Sequence, residues 1–372
     1  VAASVSEWIC GIAIHSLTLA AKRGFPANVA EARPTVGLQP TGAGFRVSIT
    51  DMKHLITCGI AAVLIASSPV SAQNSTKARK ARSARKPDVY DASVPKPTQA
   101  AVRYGDHERH ILDFWKAKSD SPTPLVFIIH GGGWTGGSKE RAQRFADVGA
   151  LLKAGISVTS LNYRYTSQAA ASDITPPVKA PLHDAARALQ FVRSKAREWN
   201  LDKHRIGAAG GSAGACSSLW LAFHDDLAIP ESDDPVARES TRLQCAAVTG
   251  AQTSLDPRQM KEWTPNSRYG GHAFGLPNFA KFLEGREKIL PLIAEYSPYA
   301  LVSKEDPPVY LIYSRPPALG RNEKDPTHTA NFGVKLQEHC QTLGVACELV
   351  HPGAAKVKHK TPTDYLIATL KR

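Results

Sequence analysis

Two short stretches of this chain hold residue types that can do chemistry at a carbonyl. Gly210-Gly211-Ser212-Ala213-Gly214 sets a serine among small residues. The pattern G-x-S-x-G is weak by itself, and a glycine-rich turn also suits a phosphate or a plain bend. Its context is more specific, because it stands between a short apolar run (205–210) and a helical pattern that opens directly behind Ser212. At such a junction, small neighbours let the backbone turn sharply and push the serine into a strained, exposed position. The helix start behind it favours developing negative charge. The second stretch, His130-Gly131-Gly132-Gly133-Trp134, follows an apolar run and lies about 80 residues upstream. Glycines there let main-chain N–H groups approach a reacting carbonyl, and Gly132, Gly133 and Ala213 are the expected donors. Losing one such donor commonly costs about 3–4 kcal/mol of transition-state stabilisation. The chemistry implied is attack by Ser212 on a carbonyl carbon, which requires a base to take the serine proton.

The elements that must position these residues alternate from about residue 100 onward. Short β-branched runs at 100–104 and 111–115 flank the turn Gly105-Asp106 and predict a hairpin. Further strands are expected at 125–130, 156–163, 205–210, 245–251, 309–313 and 347–350. Helices are expected at 139–153, 181–199, behind Ser212, from Thr327, and at 362–370. Continuous apolar strands separated by helices predict an α/β fold with a mostly parallel eight-stranded sheet covered on both faces. The rhythm breaks once, at about 252–306, where an insertion after strand six carries Trp263, Tyr269, Gly270-Gly271-His272 and Phe274. Two readings of this cap-like insertion stand: it lies over the carboxyl ends of the strands, where ligands bind, or it is a packing subdomain.

With HGGGW, GGSAG, Asn162-Tyr163-Arg164 and Asp184 in view, residues 98–372 resemble the α/β-hydrolase esterases. The likeness is to the hormone-sensitive-lipase-like and bacterial feruloyl- and acetyl-esterase-like groups. The resemblance implies the order nucleophile, acid, histidine, with the acid after strand seven and the histidine after strand eight. On that pattern His359, in the loop before Thr361-Pro362, is the expected base, and His351, which abuts the strand, is the alternative. The acid is expected at Asp325, as N-cap of a helix from Thr327 with Pro326 at its first position, with Glu323 in reserve. The loop before it, 314–324, is longer than the pattern has. His328 precedes the last strand and reads as a structural or supporting residue. Trp134, Tyr163, Trp263 and His272 are the candidates for lining the substrate pocket, although aromatics at such positions are as often core. Asp184 and His183 are expected to hydrogen-bond loops near the sheet, and His224-Asp225-Asp226 reads as a solvated helix end rather than a metal cluster.

Met52 begins a stretch with Lys53, His54, an apolar run at 55–66 and Val-Ser-Ala before Gln73. That is the pattern of a secretory signal peptide at 52–72, cleaved after Ala72, and it predicts a secreted or periplasmic protein. Residues 1–51 then read as an upstream, non-native or disordered extension; the rival reading keeps them and makes 52–72 a membrane anchor. Residues 73–97 carry seven Lys/Arg against two Asp, a basic disordered linker, either a solvated spacer or a tether to an anionic envelope. The chain as a whole has a net charge of +13, yet it holds no recognised nucleic-acid module. Hydrophobic residues make up 42% of the chain, enough for a sizeable core. Neither a CxxC nor a Cys/His spacing suggests a metal, and no cofactor motif is present. Cys340 and Cys347 are placed to bridge a helix end to the next strand if oxidised, while Cys216 and Cys245 read as buried.

The expectation is a serine carboxylic-ester hydrolase using Ser212, His359 and Asp325. The resemblance implies short acyl esters, acetyl or feruloyl, on a small molecule or a polysaccharide. A prolyl-oligopeptidase-like peptidase is disfavoured by the short segment before the first strand, and a non-catalytic binding protein on the same fold by the presence of all three triad residue types. The sequence gives no oligomeric state.

Overall fold

The computed structural model describes residues 88–372. The expected extension, signal peptide and most of the basic linker lie outside the described residues. The strands are β1 Gln99–Arg103, β2 Ile111–Trp115, β3 Thr123–Ile129, β4 Ser157–Leu161, β5 Leu201–Gly211, β6 Cys245–Thr249, β7 Val309–Ile312 and β8 Cys347–Val350. They form one eight-stranded sheet in the order β1-β2-β4-β3-β5-β6-β7-β8. The first two strands pair antiparallel with each other, and β2 pairs antiparallel with β4; from β4 to β8 every pairing is parallel. This is the α/β-hydrolase arrangement expected from the sequence.

Alternation along β3 shows how the strands divide the core. Leu125, Phe127 and Ile129 face one helical layer, while Val126 and Ile128 face the other. One face is covered by α1 (Val148–Lys153) and the C-terminal helix; the other by the helices α2 (Lys179–Ser194) and α3 (Ala213–Phe223) and by Phe332 and Leu336 of α4 (Asn331–Leu343). Near the sheet centre β5 is made of Gly207, Ala208, Ala209 and Gly210. A Cβ on Gly207 would come within 2.9 Å of Cys245 Sγ and 3.1 Å of Leu366, so small side chains let α5 (Pro362–Leu370) lie close on the sheet.

Several boundaries differ from the sequence reading. The single helix expected at 139–153 is a 3-10 turn, Lys139–Arg144, followed by α1, because Asp147 interrupts and caps α1 by accepting from the Ala150 amide. No helix begins at Thr327: residues 325–328 form a turn, and α4 begins at Asn331. The linker expected to run to residue 97 ends earlier. Asp88 takes both the Nε (2.8 Å) and Nη2 (3.2 Å) of Arg141, the Tyr90 hydroxyl donates to Asp113, and Trp115 Nε1 donates to the Pro95 carbonyl. Residues 88–97 are thereby fastened to the domain. Cys340 and Cys347 come within each other's reach, both as free thiols.

Candidate active site

Ser212 sits on the turn between β5 and α3 with φ 55° and ψ −121°, a conformation that a side-chain-bearing residue holds only under constraint. The constraint is visible in its neighbours. The Ser212 amide donates to the Thr249 carbonyl (3.0 Å), and its own carbonyl accepts from Cys216 as the first bond of the helix (2.9 Å). A Cβ on Gly210 would lie 2.5 Å from the Gly214 carbonyl oxygen, and one on Gly214 would lie 2.1 Å from that of Ile129. Glycine on both sides is what the G-x-S-x-G spacing supplies.

The imidazole facing Ser212 belongs to His328. Its Nε2 lies 2.9 Å from Ser212 Oγ, and its Nδ1 lies 2.8 Å from Asp325 Oδ2. Asp325 Oδ1 also accepts from the Thr327 amide at 3.2 Å. Partial burial pushes the Asp325 carboxyl up, but the His328 hydrogen bond and charge, with the Thr327 amide, outweigh it and hold it below the ordinary value. An ionised acceptor at Nδ1 fixes the tautomer in which Nε2 is free to accept the serine proton. The loop carrying both residues is pinned from below by Gln252, a fully buried residue whose Nε2 donates to the Thr327 carbonyl (2.7 Å) and the Gly250 carbonyl (3.2 Å).

This corrects the expected base. His359 lies elsewhere: its Nδ1 is 2.7 Å from Glu348 Oε2, its amide donates to Glu348 Oε1, and its ring stands edge-on to Tyr365. Glu348 lies two residues before the carboxyl end of the edge strand β8, on the face covered by Tyr310 and α5, so it holds His359 away from the serine. His351 is also absent from the triad; its Nδ1 bonds to the Pro352 carbonyl. Asp325, expected to orient His359, meets His328 instead, as a turn residue rather than a helix cap. The signal in the sequence was the overlong loop after β7, which brings Asp325 and His328 to Ser212 together.

The HGGGW stretch turns beside Ser212. Gly132 has φ 116° and Gly133 φ 62°, left-handed values that glycine alone adopts without strain. The amides of Gly132, Gly133 and Ala213 have no acceptor among the described residues, so they remain available to a substrate oxygen. Three of the four expected pocket residues turn out to be buried supports. Trp134 Nε1 donates to Ser217 on α3 (3.0 Å), Tyr163 donates its hydroxyl to the His130 carbonyl (2.8 Å), and Trp263 packs on Tyr299 and Phe332. The fourth, His272, reaches Gly133 O with Nε2 at 2.8 Å, where its N–H steadies the glycine loop. The insertion that contributes Trp263 and His272 packs largely against the α2–α3 layer; Trp220 of α3, for example, donates to the Glu295 carbonyl. Behind the loop, Asp184 accepts from the Arg164 amide (2.8 Å) and guanidinium and meets His110 Nε2 at 3.0 Å, the loop-holding role expected of it.

Two joined hollows open at the triad. One of about 380 Å³ runs past Ser212, bounded by Gly132, Arg144, Phe145, Gly250 and Ile312. The second, of about 560 Å³, lies beyond His328 and shares Ser314, Asp325 and His328 with the first.

A family model described as BD-FAE matches residues 112–317. Among curated proteins, the chain is 26% identical over 234 residues to the "Probable carboxylic ester hydrolase LipM" of Mycobacterium tuberculosis, covering 59% of this chain and 48% of that protein. The chain spans about half the length of this relative. Among solved structures, a truncated carbohydrate esterase from gut microbiota superposes with a TM-score of 0.57 at 19% identity, covering 76% of this chain and all of that one. Esterase 2 of Thermogutta terrifontis, phosphonylated by sarin, superposes with a TM-score of 0.52 at 21% identity, covering 69% and 84%. The two structures share the fold. With more than half of its length matched by the family model, and with this sheet order and serine turn, the chain belongs to the BD-FAE family on the α/β-hydrolase fold.

Proposed function

We propose that this protein is a serine carboxylic-ester hydrolase acting through an acyl-enzyme. The observation that carries the reading is the unbroken line Ser212 Oγ, His328 Nε2, His328 Nδ1, Asp325 Oδ2, with contacts of 2.9 and 2.8 Å. As Oγ bonds to the ester carbon, its proton passes to Nε2, and the carbonyl oxygen becomes an oxyanion met by the amides of Gly132, Gly133 and Ala213. When the carbon–oxygen bond to the alcohol breaks, the proton on Nε2 goes to the departing alkoxide. Water then repeats the sequence on the acyl-enzyme, and Oγ recovers its proton. The chemistry asks for no metal or cofactor.

The substrate is a short acyl ester, acetyl or feruloyl, and a polysaccharide is its natural carrier. The hollow beside Ser212 supports this, having Phe145 and Ile312 as apolar walls and room for a small acyl group. The family membership and the likeness to a carbohydrate esterase fold point the same way. Secretion or a periplasmic location, proposed from residues 52–72, would bring the enzyme to such a polymer. A series of p-nitrophenyl esters from acetate to octanoate, run beside acetylated xylan, tests the reading. Turnover that is highest for acetate and absent in Ser212→Ala is expected, and an inert wild-type protein on every ester would overturn it.

A further inference from the structure

We infer that the ester accepted by this site carries its own negative charge on the alcohol side, as a carboxylate. The inference rests on the esterase reading above. Because His328 Nε2 must hand its proton to the leaving oxygen, the alcohol departs on the imidazole's side of Ser212. The hollow that opens there is lined by Arg268, Arg315 and Lys324 together with Ser314, His328 and Thr329.

The partly buried cations Arg141, Arg164 and Arg286 are each paired with a carboxylate, Asp88, Asp184 and Asp256. Arg268, Arg315 and Lys324 have no carboxylate partner among the described residues. Two carboxylates, Glu323 and Asp325, stand in the same wall and keep their charge, so the three cations leave it with a net charge of +1. Asp325 is held by His328, and Glu323 accepts from the Thr329 hydroxyl at 3.2 Å while Asn266 clasps its backbone from both sides. The positive excess lies around one concavity, and a concave wall concentrates its field into the space a ligand would fill. The three cations come from separate stretches, Arg268 from the insertion after β6 and the other two from the loop after β7. Folding therefore gathers them at the site; they are not one basic run in the sequence. An alcohol bearing a carboxylate, such as a hydroxy acid or a uronate unit, matches this wall in sign and position.

The test compares 4-acetoxybenzoate, whose leaving phenol bears a carboxylate, with 4-acetoxybenzamide, which has the same shape and no charge. Each kcat/KM is divided by the ester's rate constant with hydroxide, which removes intrinsic reactivity. Wild type is expected to favour the anionic ester about threefold at low salt, the surplus of three surface attractions over two repulsions of similar size, and to lose most of that preference in about 0.5 M salt. The triple variant Arg268→Gln, Arg315→Gln, Lys324→Gln should bring the ratio to one or below, with turnover of the benzamide ester reporting that it is folded. A control carrying Lys118→Gln, Lys153→Gln and Arg197→Gln, exposed positions that line neither hollow, should keep the preference. A wild-type ratio of one with both esters hydrolysed overturns the inference and leaves the esterase reading standing, and equal loss in the control overturns the local assignment. If neither ester nor p-nitrophenyl acetate is hydrolysed, the esterase reading falls and takes the inference with it.

Discussion

Asp325 and His328 belong to one turn, and the imidazole Nδ1 of the second donates to the carboxylate of the first across 2.8 Å while its Nε2 reaches Ser212. Carboxylate and imidazole are thus set three residues apart by local backbone geometry, and Ser212 comes to them from the end of β5, across β6.

Replacing His328 by Ala should lower kcat on p-nitrophenyl acetate by about 10⁴-fold or more, as loss of a triad base does, and Ser212→Ala should do the same. His359→Ala should keep activity within a few-fold, since that ring serves Glu348 and Tyr365. Steady-state kinetics of the three variants decide which histidine is the base. Activity that survives in His328→Ala and disappears in His359→Ala would reverse the assignment.

Asp325→Asn removes the charge that fixes the tautomer and should cost about 10³–10⁴ in kcat. Glu323→Gln, whose carboxylate faces Thr329, should cost less than tenfold. A similar loss in both would mean that the two carboxylates share the role.

Gln252→Ala removes the two donors that hold the Thr327 and Gly250 carbonyls. Buried carbonyls left without partners cost about 1–3 kcal/mol, so melting should come earlier. The released loop should also lower kcat more than it raises KM. A change in stability with kcat intact would make Gln252 a packing residue alone.

His130 gives the fold a pH dependence of known sign. It is fully buried, its Nδ1–H donates to the Gly131 carbonyl at 2.8 Å, and burial pushes its pKa down to about 3, with that hydrogen bond pulling the other way. In the unfolded chain an imidazole takes its proton near pH 6.5. Between pH 6.5 and about 3, then, the unfolded state binds the proton and the folded state does not, so stability falls as pH drops through that window. The expected loss is about 2 kcal/mol at pH 5 relative to pH 7, read as a lower denaturation midpoint. His130→Asn should flatten this acid limb, whatever it does to stability at pH 7. An unchanged slope would assign the acid sensitivity to other groups.

Much of the fold was legible because parallel strands buried on both faces must be written as unbroken apolar runs, and each expected run became a strand with ends moved by only a few residues. Ser212 and the glycine loop were legible for a related reason, since a sharp turn with φ 55° between strand and helix requires small residues at fixed offsets. The histidine was misplaced because an imidazole leaves no such pattern; it needs only a loop able to reach. The resemblance to relatives favoured the loop after β8, while the overlong loop after β7 had already supplied both partners. The aromatics were misread because large rings next to a glycine loop serve equally as its walls or its foundation. Trp134 and Tyr163, bonded to Ser217 and to the His130 carbonyl, are foundation.

Setting the imidazole and the carboxylate that orients it on a single turn leaves them with one shared freedom. Tilting that loop would separate the imidazole from the serine while leaving the imidazole–carboxylate contact intact, so the machinery would disengage as a unit and re-engage without needing to be reassembled. It also frees the last strand and the helix after it from any chemical duty. A cut or a new pair of chain ends in the 351–361 connection would leave every reacting group on one continuous polypeptide.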